Sequence, residues 1–178
     1  MFPYQLRNLK QGNNGFSLLE LIVVISITAV LAGILLSRIP QWQAQAEKAA
    51  MNSVVGALRS ALGIKVAAYV AKNNVDAIYS LSGGNPMEYL AETPINYLGV
   101  ISGAGETLAG SWYFDPAAHT IVYRVRNEAF FSGGMAEPGR ARFRIDLVFA
   151  NAVTKRKQRR HQPSGVRLAA VERYEWSL

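Results

Sequence analysis

Gly15-Phe16-Ser17-Leu18-Leu19-Glu20 opens an apolar run that continues through residues 21–36 without another charged side chain. Counted from Phe16 to Ser37 at about 1.5 Å per helical residue, the segment reaches roughly 33 Å, enough to cross the hydrocarbon core of a bilayer. The stretch therefore predicts a membrane-crossing helix with one carboxylate, Glu20, near its start and a glycine directly ahead of it. Residues 1–15 are polar and weakly basic, with Arg7 and Lys10 before the apolar run. Basic residues near a membrane end favour the cytoplasmic side, so the N-terminus is expected inside and the bulk of the chain exported, a bias that Arg38 and Lys48 weaken. An ordinary secretory signal places its cleavage site after the apolar region. Here the candidate glycine precedes it, so a cut would release a hydrophilic leader and leave the helix on the mature protein.

In this order of glycine, aromatic residue, short turn and glutamate ahead of an oily helix, the sequence resembles the type IV pilin and pseudopilin superfamily. The resemblance is specific over the first forty or so residues and thin beyond them. It departs from many such leaders in placing Asn13 and Asn14, not a cation, before Gly15. It implies cleavage between Gly15 and Phe16 by a prepilin peptidase, N-methylation of Phe16, and pairing of Glu20 with the terminal amine of a neighbouring subunit. It also implies an inner-membrane assembly platform as partner, and a place first in the bacterial inner membrane and later in a filament. The chemistry is coherent, because an ionisable side chain one turn into a membrane helix costs on the order of 2 to 3 kcal/mol and ordinarily has a partner. A milder role is also open to Glu20, which lies in the first helical turn where the macrodipole favours negative charge.

The 178 residues allow one ordinary domain besides the helix. The division expected is a leader at 1–15, a transmembrane half-helix at 16–39, an amphipathic half at 40–73 and a globular region at 74–178. Cysteine is absent, which excludes disulfides, thiolate nucleophiles and Cys-ligated metals. The formal charge of +7 is uneven, since five of nineteen basic residues fall in Lys155-Arg156-Lys157-Gln158-Arg159-Arg160.

Pro40 is expected to bend the helix, because proline lacks the amide hydrogen and crowds the preceding turn. Beyond it Trp42, Ala46, Ala49, Ala50, Val54, Ala57, Leu58, Ala61, Leu62, Ile64 and Ala68 recur at helical spacing and predict the face laid against a sheet. Asn73-Asn74 is the natural stop. Asn85-Pro86 reads as cap and first position of a short helix. Strands are expected over 111–115, 120–126, 142–147 and 166–176, the first two joined as a hairpin and the last bulged at Glu172. The fold class is α+β, a long N-terminal helix packed on an antiparallel sheet of about four strands.

Enzymatic chemistry has little to work with. His119 falls in the hairpin turn, His161 adjoins the basic run, and neither sits in a motif with a serine elbow or carboxylate. Asp115, Asp146, Glu172 and Glu175 are scattered, so no metal or other cofactor is expected. The pair Gly103 and Gly105 follows no strand and lacks the third glycine of a nucleotide loop. Lys155, Arg156, Lys157, Arg159 and Arg160 form the one possible anion contact. They read first as a solvated loop, next as a contact with a neighbouring subunit or lipid heads, and last as a nucleic-acid site, since no aromatic residue is interleaved. The expectation is a structural filament subunit, a minor pilin or pseudopilin of a type IV pilus or type II secretion system. The competing class is a membrane-anchored periplasmic binding module using the basic loop.

Overall fold

The computed structural model describes residues 15–102, 107–133, 138–149 and 163–178. Among the described residues the chain forms one α-helix, α1 (Leu18–Ala71), followed by seven strands and three 3-10 segments. It divides between Ile39 and Pro40 into two compact units. The first is the apolar segment, in which every described side chain is exposed. The second, residues 40–178, contains the rest of α1 and both sheets.

Helix α1 continues through Pro40, which removes one backbone bond without ending it. Its end follows the sequence closely. Asn73 takes the left-handed conformation at φ 53°, the Asn74 amide reaches the Tyr69 carbonyl at 2.9 Å, and the Asn73 amide reaches Val70 at 2.9 Å. These two bonds form a Schellman closure, which satisfies carbonyls the helix would otherwise leave bare.

The buried face of α1 corrects the expected one in part: Val54, Leu58 and Leu62 lie on it as expected, while the rest of it differs. Ala44, Met51, Val55, Leu58 and Leu62 are buried, with Val54, Val66 and Tyr69 packed beside them. Trp42 and Ile64, assigned to the sheet-facing stripe, are 53% and 72% exposed, and Ala46, Ala49, Ala50, Ala57 and Ala68 are exposed as well. The cause is compositional, because this half of α1 carries small apolar residues around most of its circumference. Two faces then satisfy the 3.6-residue period, and the sheet takes the one with larger side chains.

The main sheet has five strands in the order β1-β2-β3-β5-β6, formed by β1 (Tyr97–Val100), β2 (Trp112–Asp115), β3 (Thr120–Arg124), β5 (Arg140–Phe149) and β6 (Pro163–Ala170). Strands β2, β3, β5 and β6 pair antiparallel, while β1 joins the edge parallel to β2. The α+β layout is as expected, but the sheet is larger than four strands and mixed. Strand β1 left little period-2 signal because it is four residues long and contains Gly99 at φ 86°. The anticipated last strand is two strands. After β6 the chain turns at residues 171–173 and enters β7 (Tyr174–Trp176), which pairs with β4 (Phe131–Gly133) in a separate two-stranded sheet. Glu172 marks this corner: its carboxylate receives the Arg142 guanidinium, and the Val171 amide donates to the Arg142 carbonyl at 2.9 Å. The charge that interrupts the apolar alternation is thus the anchor of a strand switch, not a bulge.

Between α1 and the sheet lies one core. Trp112, Phe114, Ile121, Tyr123, Ala141, Phe143, Ile145, Leu168 and Trp176 meet the buried helical side chains. Trp112 lies 4.8 Å from Tyr123 and 6.1 Å from Phe143 between ring centroids, within the range of favourable tilted pairs. The connection from α1 to β1 is held by Asn85. Its Oδ1 caps the Pro86–Tyr89 turn by accepting from the Met87 amide at 3.1 Å, and its Nδ2 donates to the Tyr97 hydroxyl at 2.9 Å.

Candidate functional site

The N-terminal segment gathers the residues with chemical interest. Gly15, Phe16 and Ser17 precede the helix, which starts at Leu18. The Ser17 carbonyl accepts from the Leu21 amide at 3.1 Å, and its hydroxyl accepts from the Glu20 amide at 3.1 Å. Ser17 is therefore the N-cap, a role that the Ser-x-x-Glu spacing could have disclosed. The Phe16 side chain is 71% exposed.

The hydroxyls inside the apolar run are all used locally. Ser26 donates to the Ile22 carbonyl at 2.8 Å, Thr28 to Val24 at 2.9 Å, and Ser37 to Ile34 at 2.8 Å. Each thus enters an apolar medium with its donor satisfied, the condition under which polar side chains are tolerated there. Glu20 is the exception. Among the described residues nothing donates to its carboxylate, so the segment from Leu18 to Ser37 presents a single unsatisfied ionisable group on an otherwise apolar surface.

A second polar constellation lies within the globular unit and was not legible in the sequence. Glu47 projects from α1 to the end of β3. Its Oε1 accepts from the Tyr123 hydroxyl at 3.0 Å and the Arg126 amide at 2.6 Å. Its Oε2 accepts from the Asn127 amide at 2.9 Å and the Asn127 Nδ2 at 2.6 Å. Burial, with the Glu47 carboxylate alongside, holds the Tyr123 hydroxyl protonated well above the ordinary tyrosine range, so it remains a donor. The group borders an open cleft of about 540 Å³ between Gln43 and Ala46 of α1 and Asn96, Arg126 and Asn127. Gly110, at φ 79°, closes one side of the cleft. That left-handed backbone favours glycine, and a Cβ there would also push the Arg126 guanidinium aside. With all four donors supplied by the chain itself, Glu47 acts as a clasp between helix and sheet.

The remaining candidates are placed as structural parts. His119 sits in the β2–β3 turn at φ 52°, with Nδ1 2.9 Å from the Gly83 carbonyl. Asp115 holds the same turn by accepting from the Ala117 and Ala118 amides at 2.9 and 3.3 Å. Asp146 pairs with Arg144 and Arg167. Among the described residues no group of three His, Asp or Glu side chains gathers as a metal would require. Lys155, Arg156, Lys157, Arg159, Arg160 and His161 lie outside the described residues, as do Gly103 and Gly105.

Residues 10–36 match the family model of the prokaryotic N-terminal methylation motif. That motif is the signature of type IV pilins and pseudopilins, and it spans the leader end, Gly15, Phe16, Glu20 and most of the apolar helix. It indicates a structural pilin-type protein and implies processing by a prepilin peptidase and assembly with other pilin-type subunits. No curated protein and no solved structure matches the chain.

Proposed function

We propose that the protein is a minor pilin or pseudopilin, a structural subunit of a type IV pilus or type II secretion filament. A prepilin peptidase cuts between Gly15 and Phe16, and the new Phe16 amine is methylated. The apolar part of α1 then holds the subunit in the inner membrane, N-terminus cytoplasmic and globular unit periplasmic, until a membrane platform moves it into a filament. There the helix leaves lipid for neighbouring helices, and Glu20 meets the terminal amine of another subunit.

The observation that carries this reading is the single unsatisfied carboxylate in the exposed apolar segment of α1 that bears the methylation motif. An exposed apolar surface of this size calls for lipid or protein cover. Within that cover, an unpaired carboxylate is costly, and breaking a buried pair by removing one member costs about 3–5 kcal/mol. The test is Glu20→Val. It should leave membrane insertion intact, since the helix becomes more apolar, and reduce recovery of the subunit in sheared or cross-linked filaments at least tenfold. Equal incorporation of both forms would reduce Glu20 to a favourable first-turn residue.

A further inference from the structure

We propose that Ser17 is a positioning residue for leader removal: by capping α1 at Leu18 it keeps the Gly15–Phe16 peptide bond outside the helix, where a peptidase can engage it. The inference rests on the reading of Gly15 and Phe16 as the processing site and deepens it.

Both contacts that define an N-cap are present. The Ser17 carbonyl takes the first intrahelical bond, from Leu21 at 3.1 Å, and its hydroxyl takes the Glu20 amide at 3.1 Å. Gly15 and Phe16 thereby remain non-helical and exposed. This matters because a cleaving enzyme engages substrate backbone through main-chain hydrogen bonds to an extended segment. A bond inside a helix has its carbonyl committed to the chain itself and its backbone coiled away from that shape.

The sequence offers the helix an earlier start. Asn14 and Asn13 are the next residues upstream that cap well. With Asn14 as cap, Gly15 and Phe16 would become the first two helical positions, and the scissile bond would lie within the first turn. Gly15 opposes that start through its poor helix propensity, and the Ser17 hydroxyl adds to the opposition by stabilising the later one. Replacing Ser17 with alanine removes the cap and supplies the best helix former at the same position. The balance should move toward the early start by about fivefold. Ser17 also frees Glu20 for its other role, since the hydroxyl satisfies the Glu20 amide while the carboxylate stays available to a partner.

The experiment uses the full-length precursor in membrane vesicles with a purified prepilin peptidase. Initial cleavage rates are read by gel mobility, and the cut is located by mass spectrometry. Because the late start is the populated one, a fivefold shift should slow cleavage of Ser17→Ala measurably but by no more than about threefold. Ser17→Asn, which caps without a hydroxyl, should be cut at nearly the parental rate. Cleavage of Ser17→Ala at the parental rate would overturn the proposal. So would a Ser17→Asn rate as low as that of Ser17→Ala, since the enzyme would then be reading the hydroxyl directly. A parent that is never cut between Gly15 and Phe16 would overturn the processing reading and this inference together. A parent cut normally beside an unaffected alanine variant overturns this inference alone.

Discussion

Glu47→Ala is the perturbation that most directly tests how helix and sheet are joined in the globular unit. The carboxylate accepts four hydrogen bonds at 2.6 to 3.0 Å, from Tyr123, the Arg126 amide and both nitrogens of Asn127. Hydrogen bonds to a charged group contribute about 1.5–3 kcal/mol each, so a simple sum would approach 6–12 kcal/mol. That sum overstates the effect, because the cleft beside Glu47 is open and water can reach the Arg126 and Asn127 donors after truncation. Tyr123 lines the same cleft but is only 4% exposed, so water replaces Glu47 at its hydroxyl only in part. One stranded buried hydroxyl at about 1–3 kcal/mol, plus partial losses at the others, gives an expected cost of about 2–4 kcal/mol. Melting of the full chain in detergent micelles, followed by tryptophan fluorescence, should therefore fall by roughly 6–12 °C, taking about 3 °C per kcal/mol for a unit of this size. Gln45→Ala, on an exposed position of the same helix, serves as the control and should change stability by less than about 0.5 kcal/mol. If Glu47→Ala melts with the control, the clasp contributes nothing net and the account of the helix–sheet junction is wrong.

Other consequences concern the core and the tyrosines. Met51, only 1% exposed and outside the expected stripe, should cost about 2–5 kcal/mol when truncated to alanine, whereas Ile64→Ala, at 72% exposure, should cost little; the reverse order in denaturant titrations would restore the expected helix face. Burial raises the hydroxyls of Tyr89, Tyr97, Tyr113, Tyr123 and Tyr174 above their ordinary value of 10.0, with the Glu47 charge adding to the effect at Tyr123. A raised folded value means that the folded state holds these protons more tightly. Their contribution is thus complete below pH 10 and is lost as pH rises beyond it. Unfolding free energy should fall above pH 10, and Tyr123→Phe should make the fall shallower; identical slopes in the two proteins would remove Tyr123 from the explanation.

What could be read from the sequence follows the range of the interactions. The apolar span, Gly15, Phe16 and Glu20 depend on neighbours within one turn, and the helix end at Asn73-Asn74 and the cap at Asn85 are likewise local. The alternation of Phe143, Ile145 and Leu147 was enough to place β5. The choice of helix face was not legible, because alanines surround α1 beyond Pro40 and several faces share the same period. The role of Glu47 was hidden for a different reason: its partners lie 76 to 80 residues away, and nothing near Glu47 distinguishes it from a solvated glutamate. Strand β1 was lost to its brevity and Gly99, and the turn at Glu172 depends on Arg142 thirty residues earlier.

The N-terminal mass of the membrane-extracted protein tests the central claim most directly. Peptide mass spectrometry should find a mature chain that begins at Phe16, carries one methyl group on its amine and lacks residues 1–15. A chain that retains the leader, or one cut downstream of the apolar helix, would contradict the account, leaving Glu20 without the amine it is proposed to meet.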